Sequence, residues 1–364
     1  MKNIIVYGAG YFGKKVYEKV SQYYSDDINI LRYIDEKKDG KVVDIPIIRL
    51  TEYNTYEVPI IIALENRRTI KNVYGSLRNI GATDIYMFLN RDNPRYVGNV
   101  FLDDECVKIV GDESEIIPHV ETHAVDYCNL NCKACIHYSA LYNKEEQDNS
   151  AIYSDIREIA ELSKDILSFY IMGGEPLLRE DLSDVLELSR RTFPNSDIQL
   201  LTNGILISEH LDTLFHMLCK NNITITISEY SPTIGNRDRI KHVLESYNVP
   251  YIIRPYDSKN KFIKTISLSK DTPYKNICIC NGCVNIYKGR IARCPAVMYL
   301  DRLNDTFSLD LPNSGIYKIE EFKDVPSLNK KMEEPIALCD HCVEYEIDWE
   351  QCSREHKVED FVVV

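Results

Sequence analysis

The sequence has no apolar run long enough to cross a bilayer. Its longest clean run covers residues 58–64, against the ~20 residues that a spanning helix needs. Residues 1–13 hold no long apolar stretch and no small-residue cleavage site, so they do not read as a signal peptide. With neither feature, the expected compartment is the cytoplasm. Positive charge is also short: 43 Lys and Arg stand against 56 Asp and Glu, a net charge of −13. Such a chain repels phosphate backbones, which argues against general nucleic-acid binding and leaves room only for a local patch that holds a phosphate or diphosphate. Internal repeats and low-complexity tracts are absent, and Trp349 is the single tryptophan. The 364 residues are 44% hydrophobic and 27% charged, a soluble globular composition with material for two or three domains.

Cysteine is abundant, with twelve in the chain. In a large chain without a secretory signal, cysteines point to metal or catalysis rather than to disulfides. They are also grouped. Cys128, Cys132 and Cys135 form one set, Cys278, Cys280, Cys283 and Cys294 a second, and Cys339, Cys342 and Cys352 a third. Cys106 and Cys219 stand apart and read as ordinary buried thiols.

Strand and helix patterns divide the chain into parts. Short apolar strands are expected at 3–8, 30–34, 59–64 and 85–89, with helices at 14–24 and 69–80. Residues 1–95 therefore read as a small βαβ domain. Residues 96–118 are polar and uneven and are expected to be a linker, with a short hairpin near 107–110. In 119–270 strands are expected at 120–127, 169–172, 197–201, 223–228 and 250–254, and a sixth at 263–268. Helices at 152–167, 182–192, 208–220 and 237–247 separate the first five. This alternation implies an α/β fold, a partial (β/α)6 barrel with its chemistry at the C-terminal strand ends. Residues 271–364 are a small cysteine-rich, cluster-binding domain, with Lys288-Gly289 as a hairpin turn.

Cys128, Cys132 and Cys135 have the spacing C-x₃-C-x₂-C directly after the first barrel strand. Three thiolates on one loop can hold three corners of a [4Fe–4S] cube and leave the fourth iron open. Zinc is the competitor, with His137 as a fourth ligand. Gly173-Gly174-Glu175-Pro176 ends the second strand, Asn203-Gly204 the third, and Ser228-Glu229 the fourth. Taken singly, these residues also read as strand ends, a turn and a solvated acid.

Together the cysteine loop and the Gly-Gly-Glu-Pro segment resemble the two main motifs of the radical S-adenosylmethionine (radical SAM) superfamily, over about residues 119–270. The resemblance implies that the open iron chelates the methionine part of SAM. Glu175 and the Gly173–Gly174 backbone would then orient its amino group, with Asn203, Ser228 and Glu229 near ribose or carboxylate. It implies a 5′-deoxyadenosyl radical that abstracts hydrogen, and an external flavodoxin- or ferredoxin-type reductant. Ala134 departs from the family, which often has an aromatic residue near the adenine there.

The C-terminal cysteines resemble the twitch and SPASM extensions, whose pattern is C-x₉₋₁₅-G-x₄-C, a gap, then C-x₂-C. Cys294, Cys339 and Cys342 are the implied ligands of one auxiliary [4Fe–4S] cluster. Cys278, Cys280 and Cys283 compete for the fourth place: the spacing favours Cys278, while Cys283 sits at the start of the hairpin strand. A zinc ribbon remains the other reading of this set.

Gly8-x-Gly10-x-x-Gly13 lies between a strand and a helix, and Asp35 ends the next strand. This is a dinucleotide-binding fingerprint. The short domain also resembles small Rossmann-like domains attached to glycan-pathway enzymes, which implies a nucleotide or nucleotide-sugar ligand. A docking domain with a vestigial loop is the alternative. Three functions follow. The first is a radical SAM oxidoreductase acting on a small polar, sugar- or nucleotide-linked molecule. The second is a radical SAM peptide maturase. The third is a non-catalytic, zinc-bound ligand sensor.

Overall fold

The computed structural model describes residues 1–53, 57–93, 100–256, 261–270, 278 and 283–364. Cys280 lies outside the described residues. The chain begins with β1 (Lys2–Tyr7), α1 (Tyr11–Tyr23), β2 (Ile28–Ile34), β3 (Lys41–Val42), β4 (Ile45–Ile48), β5 (Ile60–Ile62), α2 (Arg67–Asn79), β6 (Ile85–Phe88), α3 (Phe101–Glu105) and β7 (Cys106–Lys108). These strands form one sheet in the order β3-β4-β2-β1-β5-β6-β7. The chain runs outward from β1 to β2, then crosses to β5 on the other side, as in a doubly wound sheet.

Successive side chains of a strand point to opposite faces, and both faces of this sheet are covered. Ile4, Val6 and Ile61 pack with Val16 and Val20 of α1 on one face. Ile5, Ile60 and Ile62 pack with Ile70, Val73 and Leu77 of α2 on the other. Burial on both faces is why these strands read as continuous apolar runs.

The expected linker at 96–118 is largely structured where it is described. Phe101, Leu102 and Cys106 are buried in the sheet's core. The segment near 107–110 is not a hairpin of its own, because β7 pairs antiparallel with β6. Two apolar residues beside an Asp-Asp-Glu run give too little pattern to reveal this docking.

A second sheet follows: β8 (Ile117–Val125), α4 (Ala151–Leu162), β9 (Ile166–Gly173), α5 (Leu182–Thr192), β10 (Asp197–Thr202), α6 (Asp212–Lys220), β11 (Thr224–Ser228), α7 (Arg237–Ser246) and β12 (Tyr251–Arg254). The five strands pair in parallel and in chain order. The remaining elements are β13 (Phe262–Ile266), β14 (Val284–Tyr287), β15 (Arg290–Ala292), α8 (Pro295–Met298), α9 (Leu300–Phe307), β16 (Ile316–Lys318), α10 (Val325–Glu333) and β17 (Cys342–Ile347).

The expected sixth barrel strand is displaced. β13 pairs antiparallel with β17 and does not join the parallel sheet. Instead β14, from the cysteine-rich region, lies parallel beside β8. Period-2 patterning reveals a strand but not its partner. β14 and β15 form the expected hairpin, with Lys288 and Gly289 both at positive φ, 51° and 72°.

The first sheet docks against the N-terminal ends of the second sheet's strands. Arg67 donates to Ser168 Oγ at 2.5 Å and to Asp197 Oδ2 at 3.0 Å. Arg91, 2% exposed, donates to Thr224 Oγ1 at 2.9 Å. This leaves the C-terminal strand ends uncovered by the first domain. Among the described residues, no helix is long and apolar enough to cross a membrane.

Candidate active site

The cysteine loop springs from the end of β8 and is held against the end of β9. Gly174 N–H donates to Val125 O at 2.7 Å and Glu175 N–H to Tyr127 O at 3.1 Å. A Cβ at Gly173 would stand 2.2 Å from Val125 O, and one at Gly174 1.9 Å from Tyr127 O. The two glycines are therefore what lets this backbone reach the loop. Leu130 N–H points to Cys128 Sγ at 3.5 Å, a first hydrogen bond to a loop sulfur.

Cys128, Cys132 and Cys135 all line one cavity of about 460 Å³, together with Gly173, Gly174, Asn203 and Ser228. Burial pushes the Cys128 thiol up to about 12. Ion binding would release that proton. Three thiols on one loop, facing a cavity lined by glycine backbone, fit a cube with one corner open to a ligand. Among the described residues, Cys128, Cys132 and Cys135 are not a group whose ligand atoms all lie within 4.8 Å of one another. His137 lines the same cavity, but its ring packs against His123 at 4.6 Å and Tyr299 at 5.4 Å.

Of the polar residues expected here, two face the cavity and two do not. Asn203 donates through Nδ2 to Asn129 Oδ1 at 2.7 Å, which ties β10 to the cysteine loop. Ser228 is on the wall. Glu175 is fully buried and turned away, accepting from Thr202 Oγ1 at 2.6 Å, Asn203 N at 2.9 Å and Leu177 N at 3.1 Å. Burial raises its carboxyl to about 7, against those three donors. Glu229 forms a two-pronged ion pair with Arg237, with Nε at 2.6 Å. Both acids brace strand ends. The sequence reading gave both as cofactor contacts, with a solvated acid as the alternative for Glu229; adjacency in a motif does not show which way a side chain turns.

The sequence reading also missed parts of the wall. Met172, Tyr230, Phe262 and Ile263 supply its apolar side. The C-terminal segment closes over the loop from outside. Trp349 Nε1 donates to Cys132 Sγ at 3.1 Å, Lys133 N to Glu350 O at 2.9 Å, and Ala134 N to Asp360 O at 2.7 Å. Cys352 is buried, and its N–H donates to Asn131 O at 2.8 Å. The only tryptophan, close in sequence to a cysteine, was the one available signal.

A second thiol group stands beside the first. Cys278, Cys294, Cys339 and Cys342 line a small apolar cavity whose wall includes Ile136 and Thr265. Both residues also line the larger cavity. Cys283 is not on this wall; it lines a different cavity with His119. Cys106 is buried as expected, while Cys219 is partly exposed and donates to Tyr247 O at 3.3 Å.

In the first domain, Gly8 has φ of +106°, and a Cβ at Gly13 would stand 1.9 Å from Gly8 O. Asp35 closes this loop rather than leaving it open. Its carboxylate accepts from Ala9 N at 2.8 Å, Lys37 N at 2.8 Å and Lys38 N at 2.9 Å. Burial opposes the charge, but the three N–H donors prevail and hold the group below its ordinary range.

Residues 124–272 match the family model of the Radical SAM superfamily. The match, over less than half of the chain, implies a [4Fe–4S] cluster and S-adenosylmethionine as cofactors. GTP 3′,8-cyclase of Aquifex aeolicus (strain VF5) is 30% identical over 109 residues, 29% of this chain and 34% of that protein. GTP 3′,8-cyclase 1 of Mycobacterium tuberculosis (strain ATCC 25618 / H37Rv) is 30% identical over 138 residues, 35% of each chain. The chain therefore spans only 34% and 35% of the length of these relatives. Among solved structures, BtrN in complex with AdoMet and 2-DOIA is 16% identical with a TM-score of 0.42, over 63% of this chain and 92% of that one. Streptococcus suis SuiB bound to S-adenosylmethionine is 14% identical with a TM-score of 0.31, over 59% and 66%.

Proposed function

We propose that this chain is a radical SAM oxidoreductase that removes two electrons from a small polar, sugar- or nucleotide-linked substrate. The observation that carries the reading is the shared wall: Ile136 and Thr265 line both the three-thiol cavity and the four-thiol cavity. A substrate in the larger space would stand between two iron–sulfur sites.

The second site would be an auxiliary [4Fe–4S] cluster on Cys278, Cys294, Cys339 and Cys342, as in a twitch-type domain. Four thiols leave no iron open, so this cluster would accept an electron rather than bind substrate. Cys128, Cys132 and Cys135 would hold the first cluster. When bound, that cluster and SAM supply the one-electron, hydrogen-abstracting chemistry, driven by a flavodoxin- or ferredoxin-type reductant. Gly173 and Gly174 let the β9 end come close, Asn203 ties the loop to β10, and Tyr230 and Phe262 exclude water. The first domain is Rossmann-like in strand order, and it serves as a docking partner, because the Asp35 carboxylate is already occupied in holding its own loop.

The test is anaerobic reconstitution with iron and sulfide, reduction, and addition of SAM. About eight irons and eight sulfides per chain are expected, with 5′-deoxyadenosine formed by the wild type and not by a Cys128→Ala/Cys132→Ala/Cys135→Ala variant. The substrate panel contains nucleotide sugars, GTP (named for the relatives) and peptides. A colourless, sulfide-free protein that holds zinc at both thiol groups would sink the proposal in favour of the sensor.

A further inference from the structure

The cavity at the opposite end of the second sheet belongs to neither thiol group. It measures about 400 Å³ and lies between the two domains, lined by Asn66 and Arg67 from one side and by Tyr170, Gln199 and Arg254 from the other. His119 and Cys283 are also on its wall. Glu121, two residues along β8 on the same face as His119, brings Oε1 to 2.9 Å from His119 Nε2. β14 pairs with β8 so that Val284 faces Val120, which sets Cys283 beside His119. One ligand atom from each of His119, Glu121 and Cys283 lies within 4.8 Å of the others.

Two further facts bear on this group. His119 is only 8% exposed, and while its Nε2 meets Glu121, its Nδ1 has no hydrogen-bond partner. Such buried orphans are rare in folded proteins and call for a ligand. Cys283 is not among the four thiols that line the small apolar cavity, so on the proposed cluster assignment this thiol has no iron to bind.

We propose that His119, Glu121 and Cys283 bind a divalent transition-metal ion of the zinc type. Thiolate, imidazole and carboxylate together select such an ion over magnesium or calcium, which prefer all-oxygen sites. Thiolate and carboxylate neutralise its two charges. Three protein ligands leave a fourth position open, as in reactive rather than purely structural zinc sites. His119 and Cys283 line the same cavity as Arg254, whose positive charge would favour an anionic oxygen ligand there. β8 separates this site from the cysteine loop by about 20 Å, six residues at ~3.3 Å each from His119 to Val125. The inference rests on the proposed function in one respect, that Cys283 stands outside the auxiliary-cluster ligands.

The test uses the reconstituted full-length holoprotein, incubated with Zn²⁺ and desalted, with zinc and iron counted in the same sample. One zinc is expected beyond the full iron content. Zinc-edge X-ray absorption should show one sulfur among nitrogen and oxygen neighbours. His119→Gln and Cys283→Ser should each weaken zinc binding by at least ~100-fold and leave the iron content unchanged. If Cys283→Ser does not fold, His119→Gln and the wild-type spectrum decide. Three results would overturn the proposal: no zinc retained by the wild type, a shell of four sulfurs, or the loss of iron in Cys283→Ser, which would return that thiol to a cluster.

Discussion

Asp35 and Glu175 occupy equivalent stations in the two sheets. Each follows the end of a parallel strand, beside a glycine-dependent loop, and each carboxyl accepts three hydrogen bonds at 2.6–3.1 Å. Their proton affinities nevertheless move in opposite directions. Asp35 is partly exposed and is held below its ordinary value by its N–H donors. Glu175 is completely buried, and desolvation raises it to about 7 despite its donors. The same number of hydrogen bonds thus stabilises an anion at the surface and fails to do so in the interior, because the lost hydration of a buried charge is the larger quantity. Glu175 is therefore poised to titrate near neutral pH, while Asp35 is an anion there.

The largest expected effect breaks the backbone beneath Glu175. Gly174→Ala drives a Cβ to within 1.9 Å of Tyr127 O and should cost more than ~4 kcal/mol. It should also abolish iron uptake by the cysteine loop, read by iron counting. Gly13→Ala meets an equally close carbonyl, Gly8 O at 1.9 Å. It should lower the melting temperature comparably, yet leave iron uptake intact in whatever chain folds.

A smaller effect isolates charge. The raised Glu175 carboxyl holds its proton more tightly folded than unfolded. It therefore favours the folded state at low pH, and this advantage is lost as pH rises from 4.5 to about 7. Urea titrations of the apo chain should show a fall of roughly 3 kcal/mol across that window. Glu175→Gln should flatten the slope and cost about 1–3 kcal/mol at acid pH through its mismatched amide. A slope that survives in Glu175→Gln would assign the titration to another group.

Asp35 should behave in the opposite sense. Its contribution is present above its ordinary value of 3.8 and lost as pH falls through its lower folded value. Because the group is partly solvated, Asp35→Asn should cost only about 1 kcal/mol at neutral pH, measured by denaturant midpoint. The smallest effect belongs to Gly10→Ala. The nearest atom to a Cβ there is Lys38 Nζ at 3.7 Å, and φ is −84°. A change within ~0.5 kcal/mol is expected, which would show that only two of the three fingerprint glycines are sterically required.

Much of the fold was legible because its signals are local. The strands expected at 85–89, 197–201 and 250–254 are β6, β10 and β12 to within a residue at either end. The helix expected at 182–192 is α5 itself. The helix expected at 152–167 overruns, since α4 stops at Leu162 and Ile166 opens β9. There the apolar run Ile166-Leu167 suits either a helix or a strand, and periodicity alone does not separate them. Residues 101–108 were misread for the opposite reason, too little apolar signal for what is a buried edge.

The site divides the same way. Spacing alone placed Cys128, Cys132 and Cys135 on one loop at the sheet's C-terminal edge, because three thiols within eight residues cannot be far apart. Local sequence likewise marked Gly173, Gly174 and Gly13 as loop glycines at strand ends, while the carbonyls they approach, Val125 O, Tyr127 O and Gly8 O, appear only in the fold. Tertiary structure alone decided that Glu175 turns inward and that Glu229 pairs with Arg237. It also set Cys278 with Cys294, Cys339 and Cys342 while Cys283 faces His119, and brought Trp349 onto Cys132. Chain spacing bounds the distance between neighbours. Which way a side chain turns, and what meets it from far along the chain, depends on burial and packing that appear only once the sheets are assembled.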